Sequence, residues 1–388
     1  MVFIKDKKGF LLRCVPCAVI VLGLIFLGLW LGRPTGEVAT AASRLVYVPA
    51  RVETVISDNA EADNEHYEGQ RLGDQELEIR ILSGEHKGEI LPLTNYMGAL
   101  FNVDVREGDR IVVRLQTEDD GSYYASMYNY DRGMVVGLML LLFAAVLIAL
   151  GGKKGARALA GLVITLACIW FLLIPGLIRG IPALPYTVLL VAVVAAACLI
   201  LLNGFSAKTF CSAAGCIAGV AAAALTAWIV GKLAPIDGFN MEEAEDMLLH
   251  GTELGLRIRG LLVCGVLVSS LGAVMDVAMS IASAIWELRE SSDRLTVKEL
   301  FRSGMQIGRD AMGTMANTLI LAFAGSSLNM LIMAQIYDIP LMQLVNTDSI
   351  CIEVIQSIAG SLGILLTVPL TAAASARYMK RKSSAENT

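Results

Sequence analysis

Charged side chains are scarce in this sequence. Asp, Glu, Lys and Arg together make up 17% of its 388 residues, whereas a soluble domain carries about 25%. Too little charge remains to solvate the surface of a soluble multidomain enzyme. A disordered chain is excluded as well, because 55% of the residues are hydrophobic and they lie in continuous blocks. The scarcity of charge therefore predicts a polytopic membrane protein.

The sequence also lacks the motifs of common enzymes. It has no Walker A motif, no GxGxxG and no HExxH. Its histidines, His66, His86 and His250, lie outside the apolar stretches, which excludes a serine–histidine dyad in the bilayer. The Tyr-Asp pairs at 130–131 and 337–338 resemble half of an intramembrane aspartyl protease signature, but that chemistry needs two carboxylates that share a proton. We expect no enzymatic activity, cofactor or metal site, with an intramembrane hydrolase as the remaining enzymatic alternative.

Disulfides are not expected either. All eight cysteines lie in or beside apolar stretches, and the one long polar segment, residues 33–132, contains none. This distribution excludes a disulfide framework for the polar segment. Cys14 and Cys17 form a single CxxC pair without a second pair of ligands. We interpret them as small apolar side chains rather than as a zinc or redox site.

Long apolar stretches are what the sequence does contain. A helix needs about 17–25 residues to cross the hydrocarbon core, and eight stretches meet this length. The first is predicted to be a retained anchor, and the alternative is a cleaved signal peptide, because Ala39-Thr40-Ala41 resembles a cleavage site. We therefore predict an α-helical polytopic membrane protein with about eight transmembrane helices. The stretches are about 14–32, 133–151, 157–178, 184–203, 209–231, 260–284, 313–335 and 353–376.

Basic residues predict the orientation of these helices. With the N-terminus inside, the inside segments hold 17 Lys and Arg residues and the short outside loops hold four. This bias follows the positive-inside rule and places both termini in the cytoplasm. The predicted domains are an N-terminal tail with the first helix (1–32), an extracytoplasmic domain (33–132), a seven-helix membrane domain (133–376) and a basic cytoplasmic tail (377–388).

The segment 33–132 reads as a small β-rich domain. Apolar residues alternate with polar ones at 77–81, 101–105 and 111–115, and the turn signals Glu-Gly-Asp at 107–109 and Asp-Asp-Gly at 119–121 separate such runs. About five short strands are expected, in a barrel or OB-like arrangement. The segment carries 19 acidic and 10 basic residues. This acidic surface argues against nucleic acid as a partner.

Polar residues within the last three apolar stretches predict a functional site. Asp276 is the one acid deep within a stretch, and a carboxylate at the bilayer centre costs about 2.5–3.5 kcal/mol on insertion scales. We therefore expect Asp276 to face the interior of the helix bundle, where it is paired, hydrated or protonated. The alternative is that it only makes a structural hydrogen bond to Asn317 or Ser269. The predicted polar path is lined by Asp276, Asn317, Thr314, Glu353, Ser269 and Ser280.

Small residues predict where helices approach one another closely. The spacings Gly133-x3-Gly137 and Gly215-x3-Gly219 are typical of packed membrane helices. The run Gly-Ser-Ser-Leu-Asn at 325–329 predicts a break within the seventh stretch. The predicted helix-packing positions are Gly133, Gly137, Gly215, Gly219, Gly272 and Gly325.

Two long motifs resemble the YibE/F-like family of bacterial membrane proteins. They read SLGAVMDVAMSIAS at 270–283 and GRDAMGTMANTLILAFAG at 308–325, and the resemblance extends over about 130–380. An extracytoplasmic β-rich segment ahead of this region fits the longer members. The resemblance implies a multi-pass protein of the bacterial cytoplasmic membrane and no particular biochemical activity. The motif residues that match are Gly272, Asp276, Ser280, Asp310, Gly313, Thr314, Asn317, Thr318 and Gly325.

Two functions of different classes remain open. The first is a secondary permease or ion- or proton-coupled transporter in which Asp276 is the proton or cation site. The second is a non-transporting membrane scaffold or sensor whose extracytoplasmic domain binds a ligand or an envelope partner. The expected partners are the lipid bilayer, a small ion or solute, and a second family member or a second copy of the chain.

Overall fold

Two compact units make up the chain. The computed structural model describes residues 45–117, 122–241, 244–251, 255–292 and 294–385. The first predicted helix at 14–32 and the predicted turn at 119–121 lie outside these residues. We call the strands that precede Gly133 the β unit, and the helices from Leu147 onward the helical unit.

The β unit is an antiparallel sheet that curls into a half-barrel. Strand β1 lies in the centre between β3 and β5, while β4 pairs with β3 and β6 pairs with β5. The short β2 pairs with the first residues of β3. The predicted β-rich domain is confirmed, with six strands described where about five were expected. They are β1 (Leu45–Asp58), β2 (Glu61–Asp63), β3 (Gln70–Ile81), β4 (Ile90–Met97), β5 (Arg110–Thr117) and β6 (Tyr123–Tyr130).

Strict alternation of apolar residues forms the core of the half-barrel. Leu77 and Ile79 of β3 and Ile111 and Val113 of β5 are all fully buried, whereas Glu78 between the first two is exposed. Burial of each such side chain stabilises the unit by about 1.5–3 kcal/mol. Successive strand residues point to opposite faces, so the apolar set lies on the inner face of the curled sheet.

Helices form the rest of the described chain. Segments long and apolar enough to cross a membrane are 133–178, 183–203, 207–233, 261–291 and 348–378, and a bent pair of helices at 297–336 makes a sixth. These segments support a multi-pass membrane protein. The helices are α1 (Gly133–Cys168), α2 (Ile174–Ile178), α3 (Ala183–Asn203), α4 (Ala207–Leu233), α5 (Ala244–Gly251), α6 (Leu261–Ser291), α7 (Val297–Ser326), α8 (Leu328–Ile336), α9 (Leu341–Val345) and α10 (Asp348–Ala385).

The long segment 133–178 is interrupted at Gly152. Its 46 residues exceed what one crossing needs, and Gly152 has non-helical angles (φ 54°, ψ −132°). The carbonyl oxygen of Leu147 lies against Gly155, although eight residues of continuous helix would separate them by about 12 Å. The chain therefore turns back at Gly152. Two apolar stretches, 133–151 and 157–178, were predicted here; the total of eight spans stays a prediction, because the first lies outside the described residues.

Helix α10 occupies the centre of the helical unit. It packs against α4, α6 and α7, and α4 packs against α6 and α3. Gly215 and Gly219 of α4 lie directly against the hydroxyl groups of Thr371 and Thr367 of α10. Any side chain larger than hydrogen would collide there, so these two glycines let the helix backbones approach closely.

Helix α7 leads from a capped start into the bent pair. Thr296 accepts a hydrogen bond from the Glu299 backbone N–H (3.3 Å), and the Glu299 carboxylate accepts one from the Thr296 N–H (2.7 Å). This reciprocal capping box fixes the start of the helix. After Ser326 the chain bends by 57° into α8. The predicted break at 325–329 is confirmed.

Candidate functional site

Asp276 is the central residue of α6, and it lies on the face of that helix that is exposed. Ile285, nine residues further on, is fully buried and packs against α7. Nine residues at 3.6 per turn correspond to about 180° around the helix, so Asp276 points away from this contact. The expectation that Asp276 faces the interior of the bundle is not met among the described residues. The exposed stripe consists of Gly265, Ser269, Gly272, Asp276 and Ser280.

Asp276 has no polar partner in the described part of the chain, where no side chain forms a hydrogen bond or an ion pair with its carboxyl group. The Ser269 hydroxyl donates to its own helix, at the carbonyl of Val266 (3.1 Å). The alternative of a structural hydrogen bond from Ser269 or Asn317 to Asp276 is therefore not observed. Among the described residues, this exposed carboxyl group at the middle of an apolar helix thus has no compensating partner.

The polar face of α7 is also turned outward. Gly304 and Gly308 are buried, the first against Ile285 and Ala372 and the second against Val368 of α10. Asn317 follows Gly308 by nine residues and lies on the opposite side of the helix. The hydroxyls of two exposed threonines bond their own helix, Thr314 to Ala311 O (3.0 Å) and Thr318 to Thr314 O (2.8 Å). The exposed polar face is formed by Asp310, Gly313, Thr314, Asn317 and Thr318.

Contacts between α6 and α7 show which residues are level in the membrane. Positions that would carry a Cβ at Gly304 and Gly308 lie 2.6 and 3.3 Å from the Cδ1 atoms of Ile285 and Ile281, respectively. The two helices are antiparallel, so each step of four along α7 matches a step of four back along α6. If this antiparallel register continues along both helices, Asp276 of α6 is level with Gly313 of α7. Asn317 lies one helical turn away, about 6 Å along the axis.

Helix α10 has its polar side chains inside instead. Ser357 and Ser361 are buried, and the Ser361 hydroxyl donates to the carbonyl of Ala316 on α7 (3.4 Å). Glu353 is half-buried and lies close to the start of α10 rather than at its middle. The three predicted polar faces thus do not converge on one path within the described chain, because those of α6 and α7 are exposed and that of α10 is packed.

The predicted packing glycines fall into three groups. Gly215 and Gly219 lie in the contact between α4 and α10, as described above. A Cβ at Gly133 would lie 3.2 Å from Asp131 Oδ1, within the same segment. At the other three positions a Cβ would meet no described atom within 4 Å, so their packing role remains a prediction. Those positions are Gly137, Gly272 and Gly325.

Strands β4 and β6 leave an open cleft in the β unit. They contact each other, but no backbone hydrogen bonds pair them among the described residues. The cleft has a volume of about 510 Å³, and the exposed ring of Tyr96 lies on its wall. Its lining residues are Pro92, Leu93, Thr94, Tyr96, Ala125, Ser126 and Met127.

Three side chains, His86, Glu89 and Tyr123, contact one another where β4 and β6 begin. The Tyr123 hydroxyl donates a hydrogen bond to the Glu89 carboxylate, and the His86 ring lies against the Tyr123 ring with centroids 3.9 Å apart. His86 Nδ1 lies 3.3 Å from Glu89 Oε2. The hydrogen bond from Tyr123 lowers the pKa of Glu89, and the Glu89 carboxylate raises the pKa of Tyr123. Sequence patterns did not reveal this cluster, because 34 residues separate Glu89 from Tyr123.

A second polar network in the β unit is centred on Arg71. This guanidinium pairs with Asp58 (2.6 Å) and Asp104 (2.9 Å), and the buried Gln75 donates to Asp58 Oδ2 and to the carbonyl of Val105 (both 3.1 Å). The hydrogen bonds from Arg71 and then Gln75 lower the pKa of Asp58 from 3.8 to about 2. Since each of these charged groups has a partner inside the network, we interpret it as structural. No group of three His, Cys, Asp or Glu side chains that fits a metal ion occurs among the described residues.

One further position of the α6 stripe was missed by the sequence interpretation. Gly265 precedes Ser269 by four residues and is exposed on the same face. A Cβ at this glycine would lie 3.3 Å from Gln356 Nε2 of α10. The spacing of four was the available signal, since it continues the Ser269–Gly272–Asp276–Ser280 pattern toward the start of the helix.

Comparisons with known proteins give one consistent result. The family model described as "YibE/F-like protein" matches residues 139–381, and the model described as "YibE/F family N-terminal domain" matches residues 49–130. The first match covers α6, α7 and most of α10, and the second covers most of β1 and all of β2 to β6. No curated protein and no solved structure matches the chain.

Proposed function

The chain belongs to the YibE/F-like family, and from that premise we propose that it is a secondary permease or an ion- or proton-coupled transporter of the bacterial cytoplasmic membrane. In this proposal Asp276 is the proton or cation site. The observation that carries it is an acid at the middle of an apolar helix with no described partner. Such a residue costs about 2.5–3.5 kcal/mol in a bilayer, and intramembrane acids mark ion paths and proton relays.

The bent pair α7–α8 supports the same function. Transport sites commonly lie beside discontinuous helices, whose broken ends expose backbone groups near the middle of the membrane. Here the 57° bend follows Ser326, about two and a half helical turns beyond Asn317. Asn317, Thr314, Ser269, Ser280 and Glu353 are the accessory residues in this proposal.

The orientation we propose follows the basic residues. Lys153 and Lys154 lie at the turn of the segment 133–178, and Arg157 donates to the carbonyl of Leu202 at the end of α3 (3.4 Å). The segment's turn and the end of α3 are thus at one end of the bundle, which the positive-inside rule assigns to the cytoplasm. Both termini then lie in the cytoplasm, and residues 33–132 lie outside.

The test is flux through the purified chain in proteoliposomes. Asp276→Asn removes the charge with little change in volume, so we expect it to abolish proton or Na⁺ flux under an imposed ion gradient. The matched control is Asp338→Asn, the same change at an exposed turn with φ 47°, a conformation that Asn tolerates. It should leave the flux intact. Flux that is equal in both variants and the parent would refute the proposal.

The cleft of the β unit favours a second candidate function. In this alternative the chain is a membrane scaffold or sensor, and the cleft between β4 and β6 holds a ligand or an envelope partner. Deletion of residues 40–128 separates the two functions. Ion flux that survives the deletion makes the β unit accessory. An absence of flux in the full chain, with a partner that co-purifies only when the β unit is present, favours the scaffold.

A further inference from the structure

One aspartate holds the junction between the last strand of the β unit and the apolar helix α1. Asp131 follows β6 directly, and its backbone N–H donates to the carbonyl of Arg110 (3.0 Å). Its carboxylate pairs with the Arg110 guanidinium (3.0 Å) and accepts a hydrogen bond from the N–H of Gly133, the first residue of α1 (3.1 Å). Only Asp131 and Arg132 separate β6 from the apolar segment 133–178. The end of the sheet where β6 stops therefore lies next to the membrane.

The loop after β4 lies at this same end of the sheet. The strands pair in the order β4, β3, β1, β5, β6, and each is antiparallel to the next. Four antiparallel steps make β4 and β6 run in the same direction, so both strands stop at one end. The Tyr130 hydroxyl at the end of β6 donates to the carbonyl of Asp104, a few residues beyond the loop (2.6 Å). The loop 98–102 is thus beside the point where the chain enters the membrane.

Two large apolar side chains are exposed on this loop. Leu100 is 92% exposed and Phe101 is 79% exposed, and we call this pair the apolar tip. The loop is held in place, because the Gly98 N–H donates to the Phe101 carbonyl (2.9 Å) and Asn102 Nδ2 donates to the carbonyl of Arg71 (2.6 Å). Burial of a Leu or Phe side chain is worth about 1.5–3 kcal/mol. An adjacent pair that the loop holds outward indicates a contact surface.

We propose that the apolar tip inserts into the surface of the membrane that α1 enters. The lipid bilayer is the partner because the tip and the start of α1 lie at one end of the same sheet. The residues before Gly133 suit this level of the bilayer. The guanidinium carbon of Arg132 lies 5.9 Å from the centre of the Tyr130 ring, and Tyr and Arg are typical interfacial anchors. The contact does not depend on Asp276 or on transport.

Charge indicates that the tip binds through apolar burial. Glu65 and Glu68 precede β3 at this same end, and the segment 33–132 carries 19 acidic and 10 basic residues. An anionic lipid surface attracts basic segments, so it offers this acidic domain no attraction. Apolar side chains of interfacial segments enter about 5–10 Å into the boundary between headgroups and acyl chains. The tip therefore needs no anionic lipid.

The depth of a spin label on the full chain, in nanodiscs of phosphatidylcholine, tests the insertion. Phe101→Cys carries the label at the tip. Ile90→Cys, at a position that is 49% exposed, is the matched control at the other end of β4, about 23 Å from the strand's last residue. The signal of the unsubstituted chain is subtracted from both.

We expect the label at 101 to lie about 5–10 Å within the bilayer, where it collides with dissolved oxygen and is shielded from a water-soluble nickel chelate. The label at 90 should be open to the chelate. Equal access of the chelate to both positions would overturn the proposal. Shielding of position 101 from both reagents would overturn it as well, because the tip would then pack against protein.

A second pair of variants tests whether apolar burial holds the tip in place. Leu100→Asp puts a charge beside the labelled position 101, and Ile90→Asp puts the same charge at the other end of β4. Both positions are exposed, so neither change removes a core side chain. We expect Leu100→Asp to raise nickel access at 101 to that of position 90, and Ile90→Asp to leave the depth unchanged. An unchanged depth with Leu100→Asp, or an insertion that requires phosphatidylglycerol, would overturn the proposal.

Discussion

Strand β3 and helix α6 each have one buried apolar face and one exposed face with a carboxyl group. The exposed face of β3 lies in water, whereas that of α6 belongs to a membrane helix. In β3, Leu77 and Ile79 are buried while Glu78 between them is exposed to water. In α6, Ile281 and Ile285 are buried while Asp276 is exposed at the middle of a membrane helix. Exposure costs Glu78 nothing, because water solvates it. The same geometry leaves Asp276 without a partner among the described residues, and a carboxyl group at the middle of a membrane helix is costly unless it is paired, hydrated or protonated.

A similar contrast exists inside the helical unit. Helix α10 turns its hydroxyl groups inward, and Thr367 and Thr371 are fully buried against the glycines of α4. The Thr367 hydroxyl donates to the carbonyl of Gly363 in its own helix (2.7 Å), so its burial carries little cost. The Thr367 hydroxyl is thus satisfied within its own helix, whereas no described group is bonded to the Asp276 carboxyl group. The difference separates structural polar residues from the candidate site.

The largest effect is expected where the inward face of the β unit is broken. Leu77→Ala removes a fully buried side chain from the half-barrel and should lower the free energy of unfolding of this unit by about 2–5 kcal/mol. Hydrogen exchange of β3 amides in the full chain measures this change. Glu78→Ala, one residue further on the exposed face, is the control and should change it by less than about 0.5 kcal/mol. Equal effects would contradict the assignment of faces.

Much of this fold follows from local patterns in the sequence. The alternation at 77–81 and 111–115 indicated the inner face of the sheet, because strand side chains alternate with period two. The Gly-Ser-Ser run at 325–327 indicated the bend after α7. Each of these features depends on residues within one or two turns of one another.

The direction of the α6 stripe did not follow from the sequence. Spacing of three and four residues identified Ser269, Gly272, Asp276 and Ser280 as one face, but a face can point inward or outward. Its direction depends on which side of α6 the helices α4 and α10 occupy, and these contacts join residues far apart in the chain. The general rule that intramembrane acids face the bundle favoured the inward choice.

An intermediate effect is expected at the glycines of the helical unit. Gly219→Leu would drive a side chain into Thr367 of α10 and should destabilise the unit by about 1–3 kcal/mol through overpacking. Thermal unfolding of the purified chain in detergent measures it. Gly272→Leu is the matched control, because a Cβ at this position would meet no described atom within 4 Å, so it should leave the unfolding temperature unchanged. A larger drop in unfolding temperature for Gly272→Leu than for Gly219→Leu would contradict the assignment of Gly219 to a packed face and of Gly272 to an exposed face.

The smallest effect concerns the charged network of the β unit, where polar groups are satisfied rather than exposed. The pKa of Asp58 is lowered to about 2 in the folded state, first by the hydrogen bond from Arg71. Its contribution to stability is therefore fully present above pH 3.8 and is lost as the pH falls through about 2. Because Asp58 is 32% exposed, solvent screening limits this loss to about 1 kcal/mol.

Tyrosine circular dichroism of the β unit, followed through denaturant titrations between pH 5 and pH 2, measures this dependence. Asp58→Asn should remove the acid-dependent step, and Glu78→Gln on the exposed face should retain it. A step that persists in Asp58→Asn would place the acid sensitivity elsewhere. If the step disappears, the β unit satisfies its partly buried acid through Arg71 and Gln75, which is a compensation that no described residue provides for Asp276.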